Sequence, residues 1–147
     1  MAVRAGARKP DITSVKGLKQ ALLEAKSVAY SASVSGDYLV GELFVTLGIA
    51  DQLKGKSQRI ERERVGAVVA RGDAEIGFQQ ISELLPIDGI DFVGPLPPEV
   101  QRVTVFSAGI AAGSQHAAAA RALIRCLASP AASSTVVKSG MEPITAK

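Results

Sequence analysis

Val28-Ala29-Tyr30-Ser31-Ala32-Ser33-Val34-Ser35-Gly36-Asp37-Tyr38 is the stretch whose reading decides the fold. Three apolar residues run into small polar ones and then into a segment with apolar residues at Leu39, Leu43, Val45 and Leu47, which Gly48 stops. A short apolar run leading through a hydroxyl-rich loop into an amphipathic segment predicts a buried strand, a loop and a helix over Asp37 to Leu47. Upstream, Pro10, Asp11, Thr13 and Ser14 mark a turn and a helix start. Val15, Leu18, Leu22 and Leu23 then recur at helical spacing, so a first helix is expected to about Ala25.

Downstream the alternation continues. Gln58 to Glu61 reads as a short exposed strand, Val65 to Ala70 as a helix ended by Arg71 and Gly72, and Glu75 to Phe78 as the next strand. Pro86, Gly89, Gly94, Pro95, Pro97 and Pro98 punctuate extended pieces at Ile90 to Val93 and Val103 to Ile110. Gln115 to Leu127 is an alanine-rich helix, and Ser129 and Pro130 open another that runs through Lys138 and stops at Gly140. Strands alternating with helices through short loops predict an α/β fold, a mostly parallel sheet flanked by helices, with ligands received at the carboxyl ends of the strands.

Composition narrows the function. With 147 residues, 47% hydrophobic and 21% charged, the chain has enough apolar material for one core. No apolar run approaches the ~20 residues that cross a bilayer. The net charge of +3 is spread out, and from Lys54 to Arg64 the bases are interleaved with Glu61 and Glu63. With no Trp, two Tyr and four Phe there is no base-stacking platform, and nucleic acid is not an expected partner. Cys126, the sole cysteine, lies in an apolar helical run and is expected to be a buried structural thiol. His116, the sole histidine, is expected at the surface without a second ligand, so neither a metal nor a cofactor is expected. The acids Asp73, Glu75, Glu83 and Asp88 show no catalytic spacing, and the expectation is that the chain is not an enzyme. The beginning, MAVRAGARKPD, has no apolar core or cleavage site of a signal peptide. Cytoplasmic residence is expected for the chain as written, and periplasmic residence if a leader has been removed.

Two polar loops fall at predicted strand ends. In the first, the amides of Ser35, Gly36 and Asp37 are expected to point outward beside the hydroxyls of Ser31, Ser33 and Ser35, an arrangement suited to an oxyanion. Gly36 is expected to let a ligand approach the backbone, while the Asp37 carboxylate opposes an anion unless it faces solvent. A serine-rich loop before a helix also serves simply as an N-cap. The second loop, Gln79, Gln80 and Ser82, offers amides and a hydroxyl to a ligand's oxygens; alternatively Ser82 caps a turn over Glu83 to Leu85.

The order Ser31-Ala32-Ser33-Val34-Ser35-Gly36-Asp37-Tyr38, then Leu47-Gly48-Ile49, then Val69-Ala70-Arg71-Gly72-Asp73-Ala74-Glu75-Ile76-Gly77 resembles the molybdate-type periplasmic solute-binding proteins of ABC importers. So does the tail from Leu127-Ala128-Ser129-Pro130-Ala131 to Gly140-Met141-Glu142-Pro143. The resemblance covers nearly the whole chain and implies the type II periplasmic-binding-protein fold. It implies a second-lobe ligand-binding domain over residues 1–100 and a returning C-terminal segment over 101–147, without the early part of the first lobe. It further implies a small oxyanion or polar solute bound by Ser31, Ser33, Ser35, Gly36, Asp37 and Tyr38 from one loop and Gln79, Gln80 and Ser82 from the other. The sequence departs from the family where Gln79 and Gln80 stand in place of a tyrosine and Asp37 in place of a basic or neutral residue. An ABC permease and a second copy of the chain, in a dimer that exchanges the C-terminal segment, are the implied partners. A ligand-free remnant or oligomeric interaction domain of the same fold, and a small-molecule-sensing module, remain as alternatives.

Overall fold

The computed structural model describes residues 1–144. They divide into two compact units, Met1–Val103 and Thr104 onward.

The first unit is built on a five-stranded sheet in the order β3-β2-β4-β1-β5. Its strands are β1 (Ala2–Arg4), β2 (Val28–Ser31), β3 (Ser57–Ile60), β4 (Ile76–Phe78) and β5 (Ile90–Phe92). β2 pairs in parallel with β3 and β4, whereas β1 is antiparallel to both β4 and β5. Four strands thus share one direction, and β1 runs against them between β4 and β5. The expected α/β fold with a mostly parallel sheet is the one observed.

One sheet face presents Val28, Ile76 and Phe78. It is covered by α1 (Val15–Glu24) through Leu18 and Leu22, by helical residues 34–46 through Leu39, Leu43 and Phe44, and by α4 (Ala50–Lys54) through Leu53. The other face presents Ala29 to Val65, Val68 and Val69 of α5 (Val65–Arg71). α5 lies close to the sheet because β4 carries Gly77 there: a Cβ at that position would stand 2.5 Å from Val69 Cγ2. Burying each large aliphatic or aromatic side chain in these layers contributes about 1.5–3 kcal/mol, so the two clusters supply the main stabilising force of the unit.

Ser14 starts α1 as expected, its hydroxyl accepting from Gly17 N at 3.1 Å. Three features were not expected. β1 lies in a segment too short and too basic to signal a strand, yet Val3 is buried and the Met1 amino group donates to Gly94 O at 2.8 Å. The helix after β2 begins at Val34 rather than Asp37. It runs as α2 (Val34–Tyr38), a π turn (Leu39–Leu43) and α3 (Phe44–Thr46) without interruption. Finally, Ser82 lies inside α6 (Ile81–Leu84), and the residue at its cap is Gln80.

The second unit holds α7 (Ala117–Leu127) and α8 (Pro130–Lys138), neither of which has a buried residue. Leu123 and Leu127 are 59% and 58% exposed. Cys126 is exposed as well, which corrects the expected buried thiol: its helix is apolar, but the described residues place nothing over it. His116 is exposed, as expected. No helix among the described residues is long and apolar enough to cross a membrane.

Candidate functional site

The connection from β2 to β3 runs to one side, and the next, through α5 to β4, crosses back to the other. The carboxyl end of β2 is therefore where the winding direction reverses, the position at which open α/β sheets form a crevice. Ser31 ends that strand. Ala32 N donates to Ile60 O at 2.9 Å, which fastens the following loop to the end of β3.

The three serine hydroxyls converge. Ser31 Oγ lies 2.7 Å from Ser33 Oγ and 3.3 Å from Ser35 Oγ, and the last two are 3.0 Å apart. Ser31 is buried, Ser35 half-buried and Ser33 exposed, so the triangle rises from the sheet edge to the surface. Ser33 occupies the N-cap position, but its side chain makes no capping bond. Simple capping therefore does not account for its hydroxyl, which lies with the other two.

The amides differ from expectation. Gly36 N and Asp37 N both donate to Ser33 O, each at 2.9 Å, because the helix begins at Val34 and these are its first regular hydrogen bonds. Gly36 and Asp37 thus offer no backbone donor to a ligand. Of the N–H groups from Ser33 to Asp37, those of Ser33, Val34 and Ser35 find no acceptor among the described residues. Val34 had escaped notice because a β-branched residue is a poor signal of a helix start. Gly36 is needed for a different close approach: a Cβ there would fall 1.8 Å from Ser31 O. Its bare backbone faces the protein's own carbonyl, not a solute.

Asp37 pairs with Arg59 of β3 at 3.7 Å, with both side chains about half exposed or more, at 63% and 49% respectively. A cation thus stands beside the carboxylate that seemed to oppose an anion. Tyr38 is not free for a ligand. Its hydroxyl donates to Val100 O at 2.6 Å and the Arg102 guanidinium sits 4.6 Å above its ring, while Arg102 also pairs with Glu42. Tyr38 thus joins helical residues 34–46 to the segment leaving the sheet.

The second polar loop is largely used by the fold. Gln79 Oε1 accepts from Val65 N at 2.9 Å, satisfying an otherwise orphaned donor at the start of α5. Gln80 O accepts from Glu83 N at 3.0 Å and Leu84 N at 3.1 Å, and its half-buried side chain makes no hydrogen bond among the described residues. Between the two loops lies Glu61 to Arg64, at the end of β3. Glu63 there binds Arg71 through both oxygens, and this hydrogen-bonded guanidinium holds its carboxyl below the usual range. Arg62 and Arg64 are exposed and have no carboxylate partner among the described residues.

The sequence pattern of the bacterial extracellular solute-binding proteins matches residues 1–142. The chain belongs to that family. Among curated relatives of this solute-binding chain is an aconitate isomerase from a Pseudomonas species, 48% identical over all 147 residues. The chain spans 56% of that relative's length. No solved structure matches significantly.

This relative corrects the expectation that the chain is not an enzyme, since a protein so similar over the entire chain is named as an isomerase. The expectation rested on missing pairs of catalytic side chains. That argument requires every reacting group to lie within one short sequence, whereas solute-binding proteins enclose their ligands between two lobes.

Proposed function

We propose that the first unit forms one wall of a site for a small polycarboxylate of the aconitate type, in an isomerase built on the solute-binding fold. The observation that carries this reading is the triangle of Ser31, Ser33 and Ser35 hydroxyls at the end of β2, beside the unpaired amides of Val34 and Ser35. Carboxylate oxygens are acceptors only, and such donors match them. Arg62 and Arg64 on the neighbouring loop supply positive charge suited to a second carboxylate, and the name of the relative favours this class over a metal oxyanion such as molybdate. The segment from Thr104 onward, whose helices expose Leu123 and Leu127, serves a further part of the protein that closes the opposite side of the ligand. Enclosure from both sides is what a tightly held, highly charged solute requires.

Titration of cis- and trans-aconitate, with molybdate as comparison, into the isotope-labelled chain tests the proposal. Saturable shifts of the Ser31 to Ser35 amides are expected with aconitate, and the double change Ser33→Ala with Ser35→Ala should weaken binding about tenfold, as for loss of charge-assisted hydrogen bonds. Unmoved resonances in that loop, or equal affinity in the double variant, would overturn it.

A further inference from the structure

Arg59 stands in register with Tyr30, and its neighbour Ile60 with Ser31, so this arginine lies one residue short of the serine loop on the edge strand β3. Successive side chains of a strand point to opposite faces. Ile60 packs with Val65, Val68 and Val69 on the α5 side, which directs Arg59 to the face covered by helical residues 34–46. There its guanidinium meets the Asp37 carboxylate at 3.7 Å. Ser33 and Asp37 are one helical turn apart, Asp37 N donating to Ser33 O at 2.9 Å, so their side chains fall on the same side of the helix. Arg59 is thereby brought to the exposed, Ser33 corner of the serine triangle.

The pairing is loose. Arg71 and Arg102 hold their carboxylates by hydrogen bonds, Arg71 with two to Glu63 and Arg102 with one to Glu42. The Arg59 guanidinium makes no hydrogen bond among the described residues, and at 3.7 Å Asp37 offsets its charge without taking up its donors. An ion pair this exposed adds little to stability, so a ligand displaces Asp37 at small cost. The planar fork of a guanidinium matches a carboxylate through two parallel hydrogen bonds.

The geometry points to Arg59 as the residue that receives a third carboxylate, which makes the site selective for tricarboxylates over dicarboxylates. This inference rests on the reading of the serine loop as a polycarboxylate site. The serine hydroxyls take one carboxylate and Arg62 and Arg64 supply charge for a second. Arg59, fixed on a strand and not on a loop, binds the third. Asp37 is its placeholder: in the empty site it keeps the guanidinium beside the triangle, and it gives way when the ligand's carboxylate arrives. The acid that seemed to oppose an anion thus occupies the anion's own position.

Mesaconate and trans-aconitate share one unsaturated dicarboxylate frame and differ in a single arm, a methyl group in the first and a carboxymethyl group in the second. In the isotope-labelled 147-residue chain, trans-aconitate should bind about tenfold more tightly than mesaconate, the value of a charge-assisted contact. Arg59→Gln should remove that preference while leaving mesaconate affinity and its shifts at Ser31 to Ser35 unchanged, a selectivity that mere loosening of the loop does not produce. Arg59→Lys, which keeps the charge without the fork, should retain part of it. Asp37→Asn, which removes the competing carboxylate, should tighten trans-aconitate about threefold, as for release of a weak exposed pair. A preference that survives Arg59→Gln, or an equal loss of both ligands in that variant, would overturn the assignment. Unchanged or weaker trans-aconitate binding in Asp37→Asn would overturn the part given to Asp37. Shifts at Ser31 to Ser35 with both ligands but equal affinities sink this inference alone, whereas no shift with either sinks the polycarboxylate reading as well.

Discussion

The two polar loops at the carboxyl edge of the sheet have similar composition and opposite fates. The loop after β2 keeps its three hydroxyls together and leaves the amides of Val34 and Ser35 without acceptors. The loop after β4 gives the Gln79 oxygen to the first amide of α5 and the Gln80 carbonyl to α6. Polar residues at strand ends are thus not equivalent candidates for binding. What separates them is whether a nearby helix start already consumes them.

The sharpest way to break this comparison is at Gly36, which holds the first loop in shape. Gly36→Ala forces a Cβ against Ser31 O and is expected to cost about 3 kcal/mol, the upper end for overpacking a tight site, measured as a lowered midpoint in urea unfolding. A midpoint within error of the unaltered chain would mean that the loop yields freely and its geometry is not fixed. Next comes Gln79→Ala, which leaves Val65 N unpaired and should cost about 1–2 kcal/mol of stability, with aconitate affinity unchanged. Gln79→Glu, which retains an acceptor oxygen, should recover most of the loss. A selective drop in affinity without loss of stability would return Gln79 to the binding residues.

The smallest effect concerns Glu63, on the loop between the two. Its carboxyl is held low by hydrogen bonds from Arg71. A lowered folded value means that the pair's contribution is complete above the ordinary carboxylate range and fades as pH falls through the folded value. Titration of the Glu63 side chain by NMR should show its midpoint below that of a free glutamate, and Arg71→Gln should move it back up. An unchanged midpoint in that variant would remove Arg71 as the cause.

Much of the fold was legible because it rests on local patterns. The Ser14 cap, the apolar spacing of α1 and the short run at Val28 each signal one element on their own. β1 was not legible, since Ala2–Arg4 becomes a strand only by lying between β4 and β5. Position within the site was equally nonlocal. Ser31, Ser33 and Ser35 stood out as hydroxyls before a helix, but whether the Gly36 amide was free depended on a helix start three residues earlier than the pattern suggested. The roles of Tyr38 and Gln79 were hidden because their partners, Val100 and Val65, lie far away in sequence. Cys126 shows the converse error: an apolar helix was read as buried, although burial requires a covering surface as well as an apolar one.

The placement of β1 has a kinetic consequence. β4 and β5 are not neighbours, and β1 bridges them with Ala2 opposite both Gly77 and Phe92. During synthesis that strand must wait, unpaired, until the polypeptide has grown past Phe78, and its second edge stays open until Phe92 has been made. The sheet then closes through contacts of large sequence separation, which pay the loop-closure entropy before any reward. Assembly of the β2–β3–β4 half is free to precede this step, leaving insertion of β1 as the event that seals the sheet.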